Sequence, residues 1–205
     1  MFLIIQAAGW PIWPLLLCSV VALALIIERL SSLRASRILP PRLLDDVLAV
    51  SAQQVPAPDM VARLAENSVL GEVLAAGLRA VTAEPQMPEP KLRQVFEFAG
   101  RRAVHQLERY MNTLGTIATA APLLGLFGTV VGMIEIFGSQ TPGGGNPAQL
   151  AHGISIALYN TAFGLMIAIP SLMFHRYFKG RIEEYVLELE AAADRLMGQL
   201  NRFSA

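Results

Sequence analysis

The distribution of charge along the 205-residue chain is the feature that most restricts its fold. Residues 1–27 carry no charged side chain, and residues 111–175 carry a single carboxylate, Glu135. Charged residues make up 16% of the chain, whereas a soluble domain usually contains about 25%. Uncharged stretches of this length indicate a protein that crosses a membrane, and the net charge of zero gives no reason to expect a nucleic-acid partner.

Three stretches are long and apolar enough to cross the lipid bilayer, which requires a helix of about 20 mostly apolar residues. They run roughly over 10–30, 114–137 and 150–174. We interpret the first as a span rather than a cleaved signal peptide, because no basic residue precedes its apolar run. The second and third are separated only by GSQTPGGGNPAQ, which predicts a tight turn and an antiparallel hairpin.

Basic residues indicate the orientation of these spans, since lysine and arginine favour the cytoplasmic side. They follow the first span, precede the second and follow the third, and are absent before the first span and from the turn. We therefore expect a periplasmic N-terminus and a cytoplasmic C-terminus. The predicted segments are a first transmembrane helix (1–30), a cytoplasmic helical region (31–110), a second transmembrane helix (111–137), a periplasmic turn (138–149), a third transmembrane helix (150–175) and a cytoplasmic C-terminal helix (176–205).

The segments outside the bilayer also show the three- and four-residue apolar spacing of helices. No proline or turn cluster interrupts the chain between Lys91 and Pro122, so we expect one helix over 91–137, about 70 Å long. The predicted fold class is an all-α membrane protein, with three transmembrane helices and long cytoplasmic helical extensions.

Small residues recur at helical spacing in the second and third spans, where they allow helix backbones to approach closely in lipid. Such stripes most often mark contacts between helices. The residues that we assign to helix packing are Gly125, Gly132, Ala157, Gly164 and Ala168.

Polar side chains also occur within these two spans. Thr129 and Thr161 are placed at similar depths, and Asn160 adds an amide beside Thr161. Each threonine hydroxyl has two possible roles: it bonds a carbonyl of its own helix, or it faces a bundle interior or a water-filled cavity. Three spans enclose little space, so a pore would have to be shared by several copies.

Glu135 lies near the outer end of the second span, where it is either a proton or cation acceptor at a pore mouth or an interfacial residue that reaches water. The three histidines have no metal-ligand spacing, and no phosphate loop, catalytic carboxylate pair or nucleophile motif is present. We therefore expect neither a self-contained enzyme nor a metal or cofactor.

Two long motifs resemble the ExbB/TolQ/MotA proton-channel family. They are LERYMNTLGTIATAAPLLGLFGTVVGMIEIF and GISIALYNTAFGLMIAIPSLMFHRYF, with ERL at 28–30 after the first span as a further match. The three-span topology is closest to an ExbB/TolQ-like inner-membrane protein. The resemblance implies a bacterial inner-membrane location and a pentamer of this chain around two helices of an ExbD- or TolR-like partner.

The resemblance also implies roles for particular residues. Proton flow would drive rotation of one component against the other, with the proton carried by an aspartate of the partner. The family threonines that face this partner correspond to Thr129 and Thr161, and the family proline corresponds to Pro122; Asn160 is assigned to the same surface. One position departs from the family pattern, because Ile156 stands where ExbB and TolQ proteins typically have a glutamate.

The function implied is that of a stator-like subunit of a motor driven by the proton-motive force. It would energise outer-membrane transport or envelope processes, with a TonB- or TolA-like protein as a further partner. Two alternatives remain open at this stage: a structural membrane scaffold without ion flux, which Ile156 would suit, and a stand-alone ion channel.

Overall fold

The computed structural model describes residues 9–52, 56–138 and 147–204, apart from the side chains at 147–150, 152, 156 and 202–204. Most of the predicted periplasmic turn and the side chain of Ile156 therefore lie outside the described residues. The described helices are α1 (Ile12–Ser32), α2 (Ala35–Ile38), α3 (Leu43–Ser51), α4 (Pro58–Asn67), α5 (Val69–Ala83), α6 (Glu89–Leu107), α7 (Met111–Gly138) and α8 (Pro147–Ser204).

Regular structure within these ranges is entirely helical, which confirms the predicted all-α fold class. Among the described residues, three helical stretches are long and apolar enough to cross a membrane: Ile12–Ser32, Glu89–Gly138 and Gly153–Asn201. Their most apolar 18-residue windows have mean hydropathies of 2.0, 1.9 and 1.6, so the expected number of spans is also found.

The predicted continuous helix over 91–137 is wrong at one point, because a turn at residues 108–110 separates α6 from α7. Tyr110 has a φ of 64°, a left-handed conformation that bulky residues rarely adopt. No glycine or proline occurs at this turn, so the sequence carries no conventional signal for it. The buried guanidinium of Arg29 lies 5.7 Å from the centre of the Tyr110 ring, and this contact helps to hold the turn.

The chain forms two compact units, of which the first comprises Met1–Arg29 and Tyr110–Tyr177. It contains α1, α7 and the first part of α8. Leu15 of α1 is 1% exposed and belongs to one buried cluster with Ala121 and Ala168. Leu124, Phe163 and Ile167 pack around this cluster. The apolar side chains of α1 thus cover one flank of the hairpin formed by α7 and α8.

The second unit comprises Leu30–Arg109 and Phe178–Ala205. Within it, α5 begins at a cap in which the Ser68 hydroxyl accepts a hydrogen bond from the Gly71 amide, at 3.0 Å. The Phe96 ring of α6 packs directly against Gly77 of α5, where a Cβ atom would come within 2.1 Å of the ring. Since only glycine leaves this space, α5 and α6 are held close together.

The last part of α8 is bonded to the N-terminal part of this second unit, at the turn after α1 and at α3. The Tyr185 hydroxyl donates to the Leu33 carbonyl at 2.9 Å, and the Gln199 amide donates to the Leu48 carbonyl at 2.6 Å. Arg181 in turn donates to the Tyr185 hydroxyl, and this hydrogen bond, with Glu184 nearby, raises the pKa of Arg181. These bonds fix the position of the C-terminal helix within its own unit.

Candidate functional site

Glycine determines how closely α7 and α8 approach each other. A Cβ atom at Gly125 would lie 2.8 Å from the Asn160 carbonyl oxygen, and one at Gly164 would lie 2.5 Å from the Ala121 carbonyl oxygen. Gly132 meets Ala157 at an ordinary contact distance of 3.4 Å. The two helices therefore pack backbone against backbone, as small residues permit in a membrane.

These contacts define the antiparallel register of the hairpin. Gly115 lies beside His175 at one end, Gly125 beside Asn160 in the middle and Gly153 beside Ile136 at the other end. In this register Thr129 is nearly level with Tyr159 and Asn160. Thr129 and Thr161 are thus separated by only about 3 Å along the helix axes, at the 1.5 Å rise of an α-helix.

The two threonine hydroxyls have different partners. The Thr161 hydroxyl donates to the carbonyl oxygen of Gly125 on the neighbouring helix, at 3.4 Å, and so joins α8 to α7. The Thr129 hydroxyl donates to the Leu126 carbonyl of its own helix, at 2.7 Å. Of the two roles considered for each hydroxyl, Thr129 therefore has the bond to its own helix. The Thr161 hydroxyl instead bonds to the neighbouring helix.

Thr129 and Thr161 lie on the same flank of the hairpin, opposite α1. Successive residues of a helix are rotated by about 100°, which places Thr129 about 140° from Leu124 and Thr161 about 160° from Phe163. Leu124 and Phe163 are the residues that pack toward Leu15 of α1. Both threonines are partly exposed, and we call this surface of α7 and α8 the hydroxyl flank.

Pro122 belongs to the hydroxyl flank as well. Gly115, Pro122 and Thr129 recur every seven residues, so they form a stripe along one side of α7. A proline within a helix has no amide proton, and therefore leaves the carbonyl four residues earlier, that of Ala118, without its usual helical bond. The stripe thus combines a hydroxyl with a site of altered backbone hydrogen bonding.

Asn160 occupies a different position from its neighbour Thr161. It is 1% exposed, and its side chain packs against Gly128 of α7, where a Cβ atom would lie 2.8 Å from the Asn160 Cβ. The sequence analysis did not single out Gly128, although Gly125, Gly128 and Gly132 recur at the three- and four-residue spacing of one helix face. That spacing is the signal that would have identified it.

Glu135 is exposed near the end of α7. No ion pair joins it to another side chain among the residues that the structure describes. The backbone at residue 156 is helical, as part of α8. No group of three or more histidine, cysteine, aspartate or glutamate side chains in the described ranges is arranged to hold a metal ion.

The fold and the hydroxyl flank together define the class of protein. It is an all-α membrane protein with a tightly packed hairpin that carries hydroxyl groups on one side. The chain belongs to the MotA/TolQ/ExbB proton channel family, whose characteristic sequence it matches over residues 65–191. The resemblance inferred from the motifs is thereby confirmed, and the family is one of membrane channels.

Individual relatives are similar over most of the chain. The ExbB-like 3 biopolymer transport protein of Synechocystis sp. is 34% identical over 177 residues, which cover 85% of this chain and 82% of the relative. The biopolymer transport protein exbB1 of Vibrio cholerae is 31% identical, over 82% of this chain and 74% of its own. The Tol-Pal system protein TolQ of Pseudomonas aeruginosa is 31% identical, over 66% of this chain and 62% of its own.

Proposed function

We propose that this chain is the channel-forming subunit of a proton-driven motor in the bacterial inner membrane. It works with a single-span ExbD/TolR-like partner and energises outer-membrane transport or an envelope process, acting on a TonB- or TolA-like protein. The family membership and the names of the relatives support the general role. The hydroxyl flank is the structural observation that supports a channel-forming role for this chain in the motor.

The flank is suited to line a shared channel. Thr129 and Thr161 are level with each other on two helices, are partly exposed, and lie away from the side that α1 covers. Polar groups within membranes usually face a bundle interior or a hydrated cavity. Five copies that turn this flank inward would enclose a central space, with Pro122 in the same wall and Asn160 supporting it from the interface behind.

A partner must supply the group that holds the proton within this wall. Threonine hydroxyls orient water and donate hydrogen bonds, but they do not ionise at physiological pH. Among the side chains described between residues 111 and 174, Glu135 is the one carboxylate, and it lies near the end of α7. An aspartate on the partner's membrane helix, placed level with Thr129 and Thr161, would complete the path.

The scaffold alternative is favoured by one feature, Ile156, which replaces the glutamate typical of ExbB and TolQ proteins. Isoleucine neither binds a proton nor forms a hydrogen bond with a partner. A complex that assembles with its partner and conducts no protons would establish this alternative. Proton flux through this chain without any partner would instead establish a stand-alone channel.

Proton flux into proteoliposomes that contain the chain with its partner distinguishes these possibilities. The double variant Thr129→Val/Thr161→Val removes both hydroxyls and approximately preserves shape. We expect it to retain partner co-purification and to lose most of the proton flux, since the water and the partner carboxylate would no longer be oriented by these hydroxyls. Thr116→Val is the matched control, because the exposed Thr116 hydroxyl bonds only within its own helix, to the Asn112 carbonyl at 2.8 Å. Wild-type flux in the double variant would contradict the proposal.

A further inference from the structure

His175 lies in a space that a glycine leaves open at one end of the hairpin. A Cβ atom at Gly115 would lie 3.1 Å from Nε2 of His175 and 3.3 Å from its Cδ2. Any other residue at 115 would press on the ring. The imidazole is partly buried and lies beside Gly115 of the neighbouring helix.

The position of this ring is continuous with the hydroxyl flank. Gly115 is the last member of the stripe that contains Pro122 and Thr129, and each seven-residue step advances about 10.5 Å along the axis. Thr129 is 14 residues from Gly115, and Thr161 is likewise 14 residues from His175. Both helices therefore place the imidazole about 21 Å from the threonines, at the end of the hairpin opposite Glu135.

The surroundings of the ring on α7 are uncharged. The residues one turn on either side of Gly115 are Met111, Asn112, Ala118 and Thr119. At the same end of this unit, Glu28 accepts hydrogen bonds from Arg29, which also lies over the Tyr110 ring. Arg176 follows on α8 and is exposed. Glu28, the one carboxylate in these contacts, bonds to Arg29, and the His175 ring is partly exposed.

We propose that His175 is the proton-exchange residue between the hydroxyl flank and the cytoplasm, an inference that rests on the proposed function and on the predicted orientation. Imidazole is the side chain that both accepts and releases a proton near neutral pH. A proton arriving along the flank through water binds the unprotonated ring nitrogen. The cation then releases one proton to cytoplasmic water, and the neutral ring is restored.

Proton flux through the complete complex tests this role, measured while the pH on the face bearing the α8 C-terminus is varied from about 5.5 to 8 and the membrane potential is adjusted to hold the total proton-motive force constant. We expect wild-type flux to depend on that pH. His175→Gln should reduce the flux at least about tenfold and remove the pH dependence, with partner co-purification retained. His105→Gln, at an exposed position on α6, is the control and should match the wild type. A His175→Gln complex with reduced flux and an unchanged pH dependence would assign His175 a purely structural role and overturn the proposal.

A second variant keeps the proposal testable if His175→Gln does not assemble. Gly115→Leu places a Cβ atom 3.1 Å from Nε2 and further carbons beyond it, so the ring must leave its position, and we expect lower flux with an altered pH dependence. Gly180→Leu is the matched control, since a Cβ at Gly180 meets nothing within 4 Å. Wild-type flux and pH dependence in Gly115→Leu would overturn the proposal.

The same measurements separate this inference from the proposed function. A wild-type complex without proton flux would defeat both. A complex that conducts, loses its flux in Thr129→Val/Thr161→Val and retains wild-type flux in His175→Gln would defeat only the role of His175.

Discussion

The hydroxyl of Thr161 donates a hydrogen bond to the carbonyl oxygen of Gly125, 36 residues earlier in the chain and on the neighbouring helix. The bond forms where a glycine lets the two backbones approach, because a Cβ at Gly125 would lie 3.0 Å from the Thr161 Cα. One residue thus both closes the hairpin and belongs to its exposed flank. The stability of the hairpin and the chemistry of the flank are consequently linked at Thr161.

Removal of the Thr161 hydroxyl should cost little stability. Measured hydrogen bonds within membranes average about 0.6 kcal/mol, and the donor–acceptor distance of 3.4 Å is longer than the range of about 2.5–3.0 Å that is usual for a hydroxyl donor. We expect Thr161→Val to change the unfolding free energy in detergent by less than about 1 kcal/mol. Thr129→Val, which loses a bond within one helix, should behave similarly. A loss of several kcal/mol at Thr161 would mean that any reduced proton flux reflects misfolding.

Gly164→Leu should disrupt the hairpin. The Cβ atom alone would lie 2.5 Å from the Ala121 carbonyl oxygen and 3.2 Å from the Gly125 Cα, and neither backbone atom moves without separating the helices. Overpacking of this kind costs about 1–3 kcal/mol or more. The midpoint of thermal unfolding and the yield of folded oligomer in mild detergent measure the effect. Gly180→Leu is the control, and equal behaviour of the two variants would contradict the packing described for Gly164.

The chain should assemble as a homopentamer. The partly exposed hydroxyl flank motivates this expectation, together with the resemblance to ExbB and TolQ proteins. Native mass spectrometry in mild detergent gives the stoichiometry directly. A monomer under conditions in which the helices stay folded would contradict a shared channel.

The orientation predicted from arginine and lysine can be tested by cysteine labelling in a background that carries Cys18→Ser. A cysteine introduced at Gly144 should react with a membrane-impermeant reagent added to intact spheroplasts. One introduced at Pro88 should react only after permeabilisation. The reverse pattern would place His175 at the periplasmic end of the hairpin, and would overturn its proposed cytoplasmic role.

Much of the architecture follows from the sequence because each bilayer-spanning helix must be apolar over a fixed length. The position of charged residues therefore predicted three spans, and the short polar sequence between the last two predicted that they are adjacent. Helical periodicity also placed Gly125 and Gly132 on one face of α7, and Ala157 and Gly164 on one face of α8. These inferences depend only on the geometry within a single helix.

The tertiary structure decided which residues of the two helices meet. Periodicity assigns a residue to a face, but the axial offset between two helices depends on how all their contacts fit together. That offset brings Thr161 to the Gly125 carbonyl, Asn160 to Gly128, and His175 to Gly115. The turn at Tyr110 could likewise not be predicted from the sequence. A tyrosine rarely adopts the left-handed conformation by its own preference, and here the tertiary contact with Arg29 helps to hold it.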